Sequence, residues 1–186
     1  MSENTSAFFS SLIEKGQFRV DERGHALLFG EYLFLIPPPV IIKLQERLAE
    51  EIGYERMADV VSDIGRYHIQ QAVERHDDRY NLSELSRSRF LDYVDNINNI
   101  LGWGEIQVHA LSTDEGTFKV RVKHPTLPAT YLSRHEKHAE RPICHYLRGL
   151  LSKQFELLVS QNLNVQETTC AAVEGDRCIF EGEPTD

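Results

Sequence analysis

Residues 142–180 read PICHYLRGLLSKQFELLVSQNLNVQETTCAAVEGDRCIF, and a change of period inside this stretch decides the fold. Pro142 suits a first helical position, where no backbone donor is needed. Ile143, Leu147, Leu150, Leu151, Phe155 and Leu158 follow at helical spacing and mark a buried face running to about Val159. A hairpin over roughly residues 163–182 comes next. A helix leading directly into antiparallel strands predicts an α/β (α+β) domain, with helices packed on one face of an antiparallel sheet.

The hairpin turn can be read closely. If Val173, Glu174 and Gly175 form a three-residue loop with Gly175 in the left-handed position, Ala172 faces Asp176 and Cys170 faces Cys178. Directly opposed cysteines have β-carbons about 5 Å apart, close enough to hold one tetrahedral ion between two thiolates. Cys144 falls in the first turn of the preceding helix, where unpaired amides and the helix dipole favour a thiolate. Glu167 offers an oxygen as a fourth ligand. Residues 167 and 170 have opposite parity on a regular strand, so this arrangement requires a bulge at Thr168 or Thr169. A second reading stays open, because buried cysteines serve as small apolar side chains without any metal and no C-x-x-C knuckle is present.

Working outward, residues 105–123 change to a period of two. Ile106, Val108 and Ala110 alternate with polar neighbours, as do Phe118, Val120 and Val122, with a turn at Asp114, Glu115 and Gly116. This predicts a hairpin with one dry face for a helix to cover. The charged, proline-bearing stretch 124–141 reads as a long surface loop. Upstream, Ile41, Leu44, Leu48 and Ile52 form a helical stripe closed by Gly53. Met57, Val60, Val61, Ile64 and His68 continue it in a second helix ending before HDDRYN. Asn81 and Glu84 form a capping box for a third helix, with Phe90, Tyr93, Val94, Ile97 and Leu101 on its buried face. Residues 17–36 read as a strand meander ended by Pro37, Pro38 and Pro39. The expected organisation is one compact domain, with an N-terminal extension and strands over 1–36 and the main domain over 37–186.

Of the 186 residues, 41% are apolar and 26% charged, which predicts a folded globular chain. The formal charge of −9 and the scattered basic residues argue against direct nucleic-acid binding. No apolar run is long enough for a membrane span, and MSENTSAFFSS lacks the features of a signal peptide, so a cytoplasmic location is expected. Three cysteines, an odd number, do not suit a secreted disulfide framework.

The segments ICHYLRGLLSKQFELL and VQETTCAAVEGDRCIF together resemble the C-terminal signature of the 4-vinyl-reductase domain family, which includes sensor domains of phenol-responsive activators and archaeal hydrocarbon-binding proteins. In those sensors zinc is held by a cysteine early in the helix, by E-x-x-C, and by a cysteine after a G-D turn. The matching residues here are Cys144, Glu167, Cys170 and Cys178. The resemblance implies a structural zinc, a fold related to Golgi transport tethering subunits and haem nitric-oxide sensor domains, a homodimer, and an apolar pocket for a small hydrophobic or aromatic ligand. Apolar faces on both sides of the helices in 40–101 also call for a dimer interface and a pocket.

Candidate ligand-facing residues are His68, Tyr93 and Trp103, with Arg66 and Tyr67 as further polar handles. Each has an ordinary packing role as the alternative. His135, His138 and His145 form a rival metal set near Cys144, although RHEKHAER reads better as a solvated loop. No G-x-S-x-G, Walker or dinucleotide motif is present, and a closed four-ligand site leaves no open coordination position for catalysis. The preferred expectation is a sensing or adaptor domain with a regulatory role, acting through a separate protein partner or its own dimer. The alternative is an enzyme or assembly factor acting on a tetrapyrrole vinyl group.

Overall fold

The computed structural model of the chain describes residues 3–80 and 86–185. The order of elements is α1 (Glu3–Glu14), β1 (Phe18–Val20), β2 (Ala26–Leu28), β3 (Glu31–Tyr32), α2 (Pro38–Ile52), α3 (Tyr54–Tyr80), α4 (Arg87–Ile100), β4 (Glu105–Ser112), β5 (Thr117–Lys123), α5 (Thr126–Arg134), α6 (His145–Val159), β6 (Leu163–Thr169) and β7 (Arg177–Pro184). The main sheet is antiparallel with order β4-β5-β7-β6, and β1-β2-β3 form a separate small meander. Among the described residues no helix is long and apolar enough to cross a membrane.

One face of the main sheet is dry because cross-strand partners share a face. Val120 pairs with Phe180, and Val122 with Cys178; all four are fully buried. α6 covers this face with Leu147, Leu150, Leu151 and Phe155. The Phe155 ring stacks on Phe118 at 4.0 Å, and Gly182 opposite Phe118 leaves room for that ring. α3 packs against α6 at very close range: a Cβ on Gly149 would lie 1.9 Å from the Ser62 carbonyl oxygen. Beside this crossing the Arg66 guanidinium donates to both carboxylate oxygens of buried Glu156 at 2.8 Å, while Glu156 also accepts from the Leu163 backbone N–H. Glu156→Gln is expected to lower stability by about 1–2 kcal/mol in urea unfolding, since it removes one charge-assisted bond and keeps the rest. An unchanged midpoint would show that the pair contributes nothing.

Several expectations need correction. Residues 126–134 form α5 rather than loop, since Pro125 precedes the helix and Pro128 lies in its first turn, where no amide partner is lost. α3 continues to Tyr80 through the polar HDDRY; Gln70 and Gln71 both bond to Glu74, and no glycine or proline interrupts this end of the helix. On α2 the buried line runs through Ile42 and Gln45, whereas Leu44 and Ile52 are exposed; Ile64 on α3 is exposed as well. In β4 the register slips between Val108 and Ala110, so only Ile106 keeps its expected burial. α6 begins at His145, leaving Cys144 as its N-cap rather than within its first turn. The N-terminal region carries α1 as well as strands. The Asn81–Glu84 capping box lies outside the described residues.

Candidate metal centre and apolar pocket

The strand geometry explains how Glu167 and Cys170 reach one site. Glu167 pairs with Phe180 and Thr169 with Ile179, so the register shifts by one across Thr168. The shift places Glu167 on the same face of the sheet as Phe180 and Cys178, facing the start of α6. It is the bulge that the parity of 167 and 170 requires. The turn itself is longer than three residues: β6 ends at Thr169, and the Val173 and Glu174 N–H groups both donate to the Cys170 carbonyl. Gly175 does take a positive φ of 75°, as expected.

Cys144, Glu167, Cys170 and Cys178 therefore converge, with one ligand atom from each lying within 4.8 Å of all the others. The Cys144 and Cys178 sulfurs are 3.7 Å apart. A tetrahedral ion with zinc–sulfur bonds of about 2.3 Å requires sulfurs roughly 3.8 Å apart, so the spacing fits. Glu167 Oε2 accepts from the Cys144 backbone N–H at 3.1 Å, while its Oε1 is buried without a hydrogen-bond partner. The Ala171 N–H donates to the Cys178 sulfur at 3.5 Å.

The same crowding sets the protonation of the four groups. Hydrogen bonds from Cys144 and Cys178 hold the Cys170 thiol down to about 2. Cys144 is pushed well above its ordinary value by its bonds to Cys170 and then Cys178, with burial adding to them. Burial first, then the Cys170 charge, pushes Glu167 well above the carboxylate range. Four acids that burial and mutual repulsion keep from ionising together are a set that a divalent cation would let ionise as one. This cluster could hold a metal.

The rival histidines do not assemble. His135 stacks on Tyr131 and faces Glu46, with Nε2 3.4 Å from that carboxylate, and His138 bonds the Ala172 carbonyl. His145 is buried edge-on against Tyr54, and burial followed by the nearby Arg148 charge lowers it to about 4, so it stays neutral. Tyr54 also donates to the Pro142 carbonyl at 2.8 Å, fixing the approach to Cys144.

Two apolar cavities lie where α3 and α4 meet the small meander. The first, about 210 Å³, is walled by Phe29, Ile69, Phe90, Tyr93 and Val94, among others. The second, about 410 Å³, is walled by Phe9, Phe18, Ile41, Trp103 and Tyr146, among others. His68 borders both, Tyr93 the first and Trp103 the second, so all three candidate residues reach a cavity wall. Trp103 stacks on Tyr146, and its buried indole N–H has no hydrogen-bond partner. Tyr146 Oη lies 2.9 Å from His68 Nδ1. Arg66 and Tyr67 are not at these walls; Arg66 is engaged with Glu156 and Tyr67 is exposed. Tyr146 is a cavity residue that sequence reasoning misses. The available signal is its offset of two from Cys144, which on a helix turns it well away from the face that carries Cys144.

The family model of the 4-vinyl-reductase domain matches residues 129–184, a span that includes all four clustered ligands and bears out the resemblance read from their pattern. No curated protein matches the chain. Among solved structures, the phenol-responsive sensory domain of the transcription activator PoxR, determined with phenol, has a TM-score of 0.77 at 16% identity, covering 99% of this chain and 92% of that one. A trafficking protein particle complex subunit 3 from Naegleria fowleri, covalently bound to palmitic acid, gives 0.56 at 10% identity over 80% and 93%. A vinyl-4-reductase family protein from Methanocaldococcus jannaschii gives 0.51 at 15% identity over 83% and 85%. These likenesses establish the mixed helix and antiparallel-sheet fold.

Proposed function

We propose that this chain is a small-molecule sensing domain, stabilised by one structural zinc at Cys144, Glu167, Cys170 and Cys178, whose ligand is a compact apolar or aromatic compound. The observation that carries this reading is the cavity beside Trp103. It is apolar, larger than the roughly 150 Å³ that suffices for benzene, and bordered by a buried indole N–H that has no partner. Such a wall suits a ring bearing one acceptor, because an unpaired buried donor gains a hydrogen bond on binding. The PoxR domain of the same fold is phenol-responsive, which supports the assignment.

Trp103 is the only tryptophan and so reports directly on its own cavity. Phenol is expected to change its emission saturably, and Trp103→Phe to weaken binding measured by calorimetry about tenfold, the cost of one buried hydrogen bond. No saturable signal and no heat with phenol or a panel of small aromatics would overturn the sensing reading. The apolar side chains exposed along α2 and α3, Val40, Leu44, Ile52 and Ile64, support a homodimer. Light scattering should then give twice the 21.4 kDa chain mass. A monomer at micromolar concentration would reject the dimer. The response passes either through that dimer or to a separate regulatory protein.

A further inference from the structure

The sensing reading leaves open the size of the ligand. We propose that the two cavities act as one site for an elongated ligand of about two rings, one in each cavity, with a hydrogen-bonding group between them. This proposal rests on the sensing reading and specifies its ligand class.

Leu28, Leu33, His68 and Leu101 belong to the walls of both cavities. The shared boundary thus includes three leucine side chains, which can yield by moving between staggered rotamers. His68 is the one polar residue of the four, which places the ligand's polar group at the junction. Each cavity alone exceeds the roughly 150 Å³ that holds a benzene ring, so a single ring would leave much of the joined space unfilled.

The wall that supplies Leu28 and Leu33 is also lightly anchored. β2 and β3 are three and two residues long, and Leu28 pairs with Glu31 across a turn made by Phe29 and Gly30. Both turn residues have positive φ, 55° at Phe29 and 86° at Gly30. The left-handed region crowds the Cβ of a bulky residue against its own backbone, so Phe29 holds it only under constraint from its surroundings. That constraint is its side chain, buried against Leu12 and Ile97 while lining the first cavity. A short hairpin held by one buried aromatic side chain can shift outward to admit a second ring without disturbing the main sheet.

The test compares phenol, diphenylmethanol and diphenylmethane on the full chain, by calorimetry and Trp103 emission. Diphenylmethanol, with its hydroxyl between two rings, is expected to bind at least about tenfold more tightly than phenol, from the extra apolar area buried. It should also bind more tightly than diphenylmethane, which lacks the central hydroxyl. Leu101→Phe, which fills the junction, should narrow the gap between diphenylmethanol and phenol. Phenol binding as tightly as diphenylmethanol would overturn the joined site while leaving the sensing reading standing, whereas binding of none of the three would overturn both. Equal affinity for diphenylmethane would overturn the central polar contact. If Leu101→Phe does not fold, the three-probe comparison on the parent chain decides alone.

Discussion

Cys178→Ser is expected to abolish stoichiometric metal binding and to lower the melting temperature by more than about 10 °C. Cys178 is fully buried at the centre of the cluster, on β7 between β5 and β6, with its sulfur 3.7 Å from that of Cys144 at the head of α6. The ion would tie three chain segments that are otherwise joined there by a few hydrogen bonds. Structural zinc supplies on the order of 10 kcal/mol. Losing even half of that shifts the melting point by roughly 2–4 °C per kcal/mol in a domain of this size. Serine preserves shape and volume, so a cavity does not account for the loss. Elemental analysis of parent and variant gives the first readout, with about one zinc per parent chain expected. Melting with and without chelator gives the second: chelator should bring the parent down to the variant and leave the variant unmoved. A variant with full metal content and an unchanged melting point would remove Cys178 from the ligand set.

The four clustered side chains are largely legible in the sequence, and the cavities are not, for a physical reason. A tetrahedral site needs particular residue types, and three thiols with one carboxylate in the spacing Cys144, Glu167, Cys170, Cys178 are few enough to point at one another. Even the bulge at Thr168 can be anticipated, because strand parity forbids Glu167 and Cys170 from sharing a face without it. A cavity wall has no such chemistry. Phe29, Tyr93, Leu101 and Tyr146 come from different segments, and each looks like ordinary core in its own.

Secondary structure is misread where local pattern and tertiary contact disagree. The stripe on α2 misleads because exposed Leu44 and Ile52 carry as strong an apolar signal as buried Ile42. The charged stretch before Pro142 hides α5, since prolines at and before the first turn mark a helix start as readily as a loop. In β4 the bulge after Val108 cancels the alternation that the sequence displays, and no residue type announces it.

Gly149→Ala is expected to be the most damaging change of one methyl group, costing about 3 kcal/mol or more and lowering the melting temperature by roughly 10 °C. The added Cβ would meet the Ser62 carbonyl oxygen at 1.9 Å and the Arg66 backbone nitrogen at 3.0 Å. Both obstacles are backbone atoms inside α3, so no rotamer change relieves them and the two helices must separate. Gly65 makes the reciprocal close approach, its Cβ position lying 2.2 Å from the Tyr146 carbonyl oxygen, so the crossing has no slack on either side. Gly175→Ala is the control: it carries φ of 75° with nothing within 4 Å of the new Cβ, and should cost only about 1 kcal/mol of backbone strain. Separation at the crossing should also reach the ligand. Tyr146 rides on α6 and His68 on α3, and their 2.9 Å contact spans this crossing at the cavity wall. Gly149→Ala should therefore weaken aromatic binding more than its fall in stability explains, measured at a temperature where the variant is still folded. Unaltered affinity with lowered stability would show that the crossing holds the fold without setting the cavity, while unaltered stability would contradict the close packing of α3 on α6 itself.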